Sequence, residues 1–143
     1  MQGIEFLATA DSLSQGPSEG DWRSAVSRAY YAVFHHFREF FLAHGLNLGR
    51  SGQAHFNLYA GLLHCGFPEA AKLGSRVDQL RSNRVDADYN LSGAFDALQA
   101  RDSVNVARAL IADLQRLASS TPPAQIVAGA AKHLRAVGKL GTP

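Results

Sequence analysis

The chain reads as an all-α protein: about five helices with a short C-terminal helical extension. Three observations predict this. Apolar residues recur at helical spacing along nearly the whole chain. No stretch of any length shows the alternation of a strand. Gly, Pro and Ser clusters cut the chain into pieces of helical length. A length of 143 residues fits one domain, and an apolar fraction of 46% is enough for a helical core. There is no internal repeat and no low-complexity block.

The first predicted helix covers residues 3–13, with Ile4, Leu7 and Ala8 on one side. Ser14 to Gly20 is a loop. Asp21 then serves as the expected N-cap of a second helix running to Gly45, where glycine suits a C-cap. Val26, Ala29, Tyr30, Val33, Phe37, Phe40, Phe41 and His44 fall mostly within an arc of about 140°. Ser24, Arg28, Tyr31, Ala32, His35, Glu39 and Leu42 fill the opposite arc, which is not purely charged and could meet another subunit. The third helix covers 53–65 and ends at Gly66. Pro68 opens the fourth, since a first-turn N–H has no helical partner anyway. Leu73, Val77 and Leu80 form its stripe, which continues in register to Arg84, with Arg81 beside it. The fifth helix covers about 100–118, where Val104, Ala107, Leu110, Ile111, Leu114 and Leu117 keep helical spacing. Pro122 and Pro123 end it. Beyond them, Ile126, Val127, Ala130, Leu134 and Val137 suggest one more short helix, expected to dock. The domain reading is therefore 1–120, with an extension over 121–143.

Composition removes several function classes. No apolar run approaches the roughly 18 residues needed to cross a bilayer. The N-terminal residues lack the basic and apolar regions of a signal peptide. Cys65 is the only cysteine, so neither an internal disulfide nor a paired-cysteine zinc site can form. A cytoplasmic location is the expectation. A net charge of +2 does not make the whole chain an electrostatic nucleic-acid binder. Arginines outnumber lysines 11 to 3, which suits bidentate phosphate contacts, although a GC-rich genome explains the excess more readily. His35 and His36 are neighbours and point about 100° apart, so they cannot chelate one ion as a local pair. No Glu-x-x-His pair occurs, which removes the di-iron bundle. Neither a cofactor nor a metal is expected.

Two segments carry a resemblance. Ser27-Arg-Ala-Tyr-Tyr-Ala-Val-Phe34 resembles the second helix of the HEPN superfamily, in its small single-domain bacterial and archaeal members. Arg84-Val-Asp-Ala-Asp-Tyr89 is similar to the Arg-x-x-x-Asp-Tyr element that closes the fourth helix in that branch. The resemblance covers roughly residues 3–118. It implies a helical bundle that dimerises with the ends of the fourth helices meeting at the two-fold axis. Many members are metal-independent ribonucleases with an Arg-x(4–6)-His motif, and others are toxins paired with a small nucleotidyltransferase antitoxin. Some only bind nucleotides or partner proteins.

Cleavage of RNA by its own 2′-hydroxyl needs a proton acceptor, a proton donor and a cation for the phosphorane charge. Histidine and arginine meet those needs. Here Tyr89 stands where the histidine is expected, and a phenol titrating near pH 10 is a poor general base at neutral pH. Phosphate binding by Arg81 and Arg84 thus survives the departure better than catalysis. Arg84 with Asp88 also reads as a structural i,i+4 pair, worth about 0.3–0.5 kcal/mol. Arg28 and Tyr31 could line the same cleft or sit at a dimer seam. His35 lies seven residues from Arg28, on the same face, and is the candidate replacement base. The expected function is RNA or nucleotide binding in a dimer cleft. An active protein would use Arg84, Tyr89 and His35 in catalysis, with Arg81, Arg84, Arg28, Tyr31 and Asp88 as binding residues. The alternatives are a non-catalytic module for a nucleotidyltransferase-type or other partner, and a plain structural bundle.

Overall fold

The computed structural model describes residues 1–140. It contains six helices: α1 (Glu5–Ser14), α2 (Glu19–Ala43), α3 (Ser51–Leu63), α4 (Pro68–Tyr89), α5 (Ala97–Ser120) and α6 (Pro123–Ala136). No strand occurs among the described residues. The protein is all-α, as its periodicity predicts.

Helix α1 starts two residues later than expected and α3 two residues earlier, and the starts of α2 and α5 differ for one physical reason. Asp21 is not the N-cap of α2, because Ser18 takes that place. The Ser18 hydroxyl accepts from the Asp21 backbone N–H at 3.2 Å, and Asp21 Oδ2 accepts from the Ser18 backbone N–H at 3.2 Å. Such a reciprocal box satisfies two donors that the helix itself cannot. The expected start of α5 near residue 100 is also too late. Asp96 Oδ1 accepts from the Gln99 N–H, and Gln99 Oε1 accepts from the Asp96 N–H, both at 2.8 Å. Helix α5 therefore begins at Ala97. Gly45 ends α2 as expected, with φ +90° and a Leu46 N–H donating to Phe41 O at 2.9 Å.

The chain divides into two compact units. The first comprises residues 1–36 and 77–111, the second 37–76 and 112–143. In the first, Ala25, Val26, Ala87 and Ala100 form a buried cluster, with Leu13, Trp22 and Phe95 packed against it. Small residues on α2, α4 and α5 let the helix backbones approach, and the aromatic rings fill the edges. Trp22 Nε1 donates to Gly16 O at 2.8 Å, so its indole is partly buried without losing its hydrogen bond. Helix α2 is more buried than a single stripe allows. Ala25, Ala32 and Phe34 are buried as well as Val26, Ala29, Tyr30 and Val33.

In the second unit Leu58, Leu62, Ile126 and Leu134 are fully buried. Helix α6 docks on α3 along a small-residue seam, where a Cβ on Gly61 would lie 3.2 Å from Ala130 Cβ. Gly129 faces the backbone carbonyl of Cys65 with no room for a side chain. Phe41 at the end of α2 is buried here, but His44, expected on the apolar face, is exposed beyond the helix end. Asp113 on α5 receives both Arg76 of α4, at 2.6 Å, and Arg116 of its own helix.

Candidate functional site

The site grows out of the last turn of α4. Arg23 on α2 fixes that turn in place. Its Nη1 donates to the carbonyls of Asp86, Ala87 and Asn90 at 3.3, 3.0 and 3.1 Å. Its Nη2 donates to Gly93 O at 2.7 Å, and its Nε to Glu19 Oε1 at 2.8 Å. The guanidinium also stacks 4.9 Å from the centre of the Phe95 ring. Carbonyls at a helix C-terminus have no helical partner and carry partial negative charge, so a buried arginine suits them. Arg23 thus satisfies the end of α4 and pins the following loop.

Arg84 lies one turn before that end, and its side chain is only 12% exposed. Its guanidinium stands 5.4 Å from the Tyr30 ring centre and 5.7 Å from that of Tyr31. Its nearest carboxylate is Asp88 Oδ2, at 3.6 Å, beyond hydrogen-bond range. Arg84 Nε is buried with no hydrogen-bond partner among the described residues. Asp88 accepts instead from the Ser27 hydroxyl, at 3.2 Å. The contrast with Arg23 is chemical. One buried guanidinium has its donors filled, and the other keeps its Nε unfilled against two aromatic rings, as Arg38 Nε is also unfilled elsewhere on α2.

Burial pushes the Tyr30 phenol well above the ordinary tyrosine value, against the opposing pull of Arg84 and Arg81. Tyr30 is therefore a neutral floor beneath two positive charges. Arg81 itself donates from Nε and Nη2 to Asp78 Oδ1, at 3.2 and 3.0 Å.

A second group adjoins Tyr31. Arg28 lies 5.2 Å from the Phe6 ring centre and 5.1 Å from that of Tyr31. His35 stacks on the other partner, Phe6, with centroids 5.5 Å apart and planes 14° apart. The seven-residue spacing does bring Arg28 and His35 to one place, over a ring contributed by α1. Tyr31 touches both groups, through Arg28 and through Arg84.

Tyr89 stands apart from these contacts. Its ring is exposed, the residue being 74% accessible, and its side chain makes no hydrogen bond, ion pair or ring contact with a described residue. It is not a structural tyrosine of the monomer core. Leu91 and Leu98 nearby in sequence are also exposed, at 71% and 63%. Among the described residues no three of His, Cys, Asp and Glu converge as metal ligands, and no helix is long and apolar enough to cross a membrane.

A family model described as the HEPN domain matches residues 2–117. The chain belongs to the HEPN domain family. No curated protein and no solved structure matches it significantly. Within this HEPN domain, Arg84, Asp88, Tyr31, Arg28 and His35 come together through shared aromatic and polar contacts, while Tyr89 faces solvent. Four contributors escaped the sequence reading: Arg23, Ser27, Phe6, and Tyr30 as a platform for Arg84. The Ser-Arg-Ala-Tyr-Tyr segment held a signal for Ser27 and Tyr30. Arg23 had none, because its partners are main-chain carbonyls 63 to 70 residues away.

Proposed function

We propose that this HEPN protein binds the phosphates of RNA or of a nucleotide through Arg84, with Arg81 and Arg28 beside it, in a cleft completed by a second copy of the chain. The observation that carries the reading is the state of Arg84. A guanidinium taken out of water keeps its charge, and its unmet N–H groups seek an acceptor. Asp88 is too far to hydrogen-bond and is held by Ser27. A phosphate oxygen would fill the donors bidentately, at the distances such pairs favour. Tyr30 and Tyr31 hold the planar group ready, so little entropy is lost on binding.

In the catalytic form of this reading, Arg84 steadies the phosphorane charge, and His35 or Tyr89 moves the proton. No metal enters that scheme. The cell-biological setting would be a toxin or defence protein with a nucleotidyltransferase-type antitoxin. A second reading rests on its own observation. Tyr89, Leu91 and Leu98 present large apolar groups to solvent, which suits a protein partner or a second copy. A non-catalytic interaction module would use that surface and not Arg84.

The direct test is total RNA or tRNA incubated with purified protein in EDTA. The nuclease form predicts cleavage that falls by at least about a hundredfold in Arg84→Ala, the usual cost of removing a charge-stabilising donor. Binding without cleavage, lost in Arg84→Ala, leaves the phosphate site standing and removes the nuclease. Neither cleavage nor Arg84-dependent binding leaves the interaction module.

A further inference from the structure

Helix α6 lies beyond the residues matched by the family model. One side is accounted for by packing: Ile126, Val127, Ala130, Ala131 and Leu134 are buried. The other side carries Lys132 and Arg135, both exposed. A left-handed Gly138, φ +73°, then turns the chain, and the Lys139 N–H donates to Leu134 O at 2.8 Å. This turn folds Lys139 back toward α3, with Nζ 5.3 Å from the Phe56 ring centre.

The charge pattern around this helix is one-sided. No Asp or Glu occurs from Thr121 onward, and none occurs between Glu39 and Glu69, a stretch that includes all of α3. The three cations of the segment exceed the net +2 of the whole chain, so the remainder is net negative. Arg23, Lys72, Arg76, Arg81, Arg84, Arg108 and Arg116 each have a carboxylate within ion-pair distance, whereas Arg28, Arg38, Arg50 and Arg101 have none among the described residues. Lys132, Arg135 and Lys139 have none among the described residues. The helix dipole explains one cation in the last turn, but it does not explain two acid-free stretches packed together. At the same edge His64 of the α3 end and His133 of α6 lie with ring centres 4.2 Å apart.

We propose that the basic edge formed by α6 and the turn that follows it, through Lys132, Arg135 and Lys139, is a sequence-independent binding surface for the phosphate backbone of RNA. A protein partner is the poorer fit. Protein interfaces rely on aromatic and large apolar anchors, whereas the outward residues Ala124, Gln125, Ala128, Lys132 and Arg135 offer small or charged groups, with Val137 at the helix end as the exposed apolar exception. Unpaired point charges without anchors are what counterion release uses. The inference takes RNA as ligand from the proposed function but does not need the Arg84 site, so the two can fail separately.

The test is fluorescence anisotropy of the full chain with a labelled oligouridylate of about 20 nucleotides, across about 50 to 200 mM salt. The combined variant Lys132→Gln, Arg135→Gln, Lys139→Gln is expected to bind about tenfold more weakly. Its log–log salt slope should fall by about 2, at roughly 0.7 per lost contact with a single strand. Unchanged affinity and slope would overturn the proposal. A poly-glutamate peptide of similar length serves as the second probe. Loss of peptide binding with RNA binding intact would assign the surface to an acidic protein and overturn it too. If the combined variant melts early, Lys132→Gln and Arg135→Gln alone should each lower the slope by about 0.7. Loss in the α6 variant with none in Arg84→Ala keeps this surface and removes the Arg84 reading; the reverse result removes this surface.

Discussion

Two arginines of the first unit define what single residues do here. Arg23 has its donors filled by three carbonyls at the end of α4, by Gly93 O and by Glu19. Arg84, one turn earlier, keeps a buried Nε without a partner among the described residues. The first arrangement is structural, and the second is the candidate for chemistry. Replacing Arg23 by Ala leaves several carbonyls and part of a helix end unsatisfied. The expected cost is about 2–4 kcal/mol, from desolvated acceptors and lost packing on Phe95. Urea unfolding measures it, and a loss under about 0.5 kcal/mol, the range of ordinary surface changes, would show that Arg23 is no clamp. Sequence reasoning reached Arg84, Asp88 and Tyr89 because their side chains form a compact pattern. It could not reach Arg23, since main-chain acceptors leave no mark on residue identity. Nor could it find Phe6, whose contact with Arg28 and His35 depends on how α1 is laid down.

At the scale of elements, α2 and α5 begin where capping boxes put them. Ser18-x-x-Asp21 and Asp96-x-x-Gln99 were readable as N-terminal signatures, but neither precedes an unbroken apolar repeat. Periodicity alone therefore started both helices late. The docking of α6 on α3 was legible from its apolar spacing, and its Gly61 and Gly129 seam was not, because close approach is a property of two helices. That seam carries a titratable contact. Burial, and then the charge of neighbouring His64, lower the His133 pKa from its ordinary value. No carboxylate on α3 or α6 offsets this, and Lys132, Arg135 and Lys139 add positive charge. As pH falls below about 6.5, the unfolded chain takes up the proton first. The stabilisation is thus present above that pH and lost as pH falls through the folded-state value. Melting temperature should drop more steeply with acidification in the parent chain than in His133→Gln. Equal drops would mean that the pair is too solvated to matter.

For the whole molecule, the all-α class followed from periodicity, and family membership from two short segments on α2 and α4. Function was less legible for a physical reason. On the proposed reading the cleft is completed by a second copy, which leaves no signature in one chain, and a tyrosine in place of the expected histidine would alter proton transfer without altering the fold. The exposure of Tyr89, Leu91 and Leu98 leaves the end of α4 open to a second copy, as the dimer-cleft reading requires. The account stands or falls on Arg84 as the phosphate contact. The decisive measurement is the affinity of the parent chain, Arg84→Ala and Arg84→Lys for a labelled single-stranded RNA in EDTA. Arg84→Ala should weaken binding at least about tenfold, a loss of roughly 1.4 kcal/mol or more, and Arg84→Lys should restore only part of it, because an ammonium cannot make the bidentate contact. Three equal affinities, with all three proteins folded, would contradict the account.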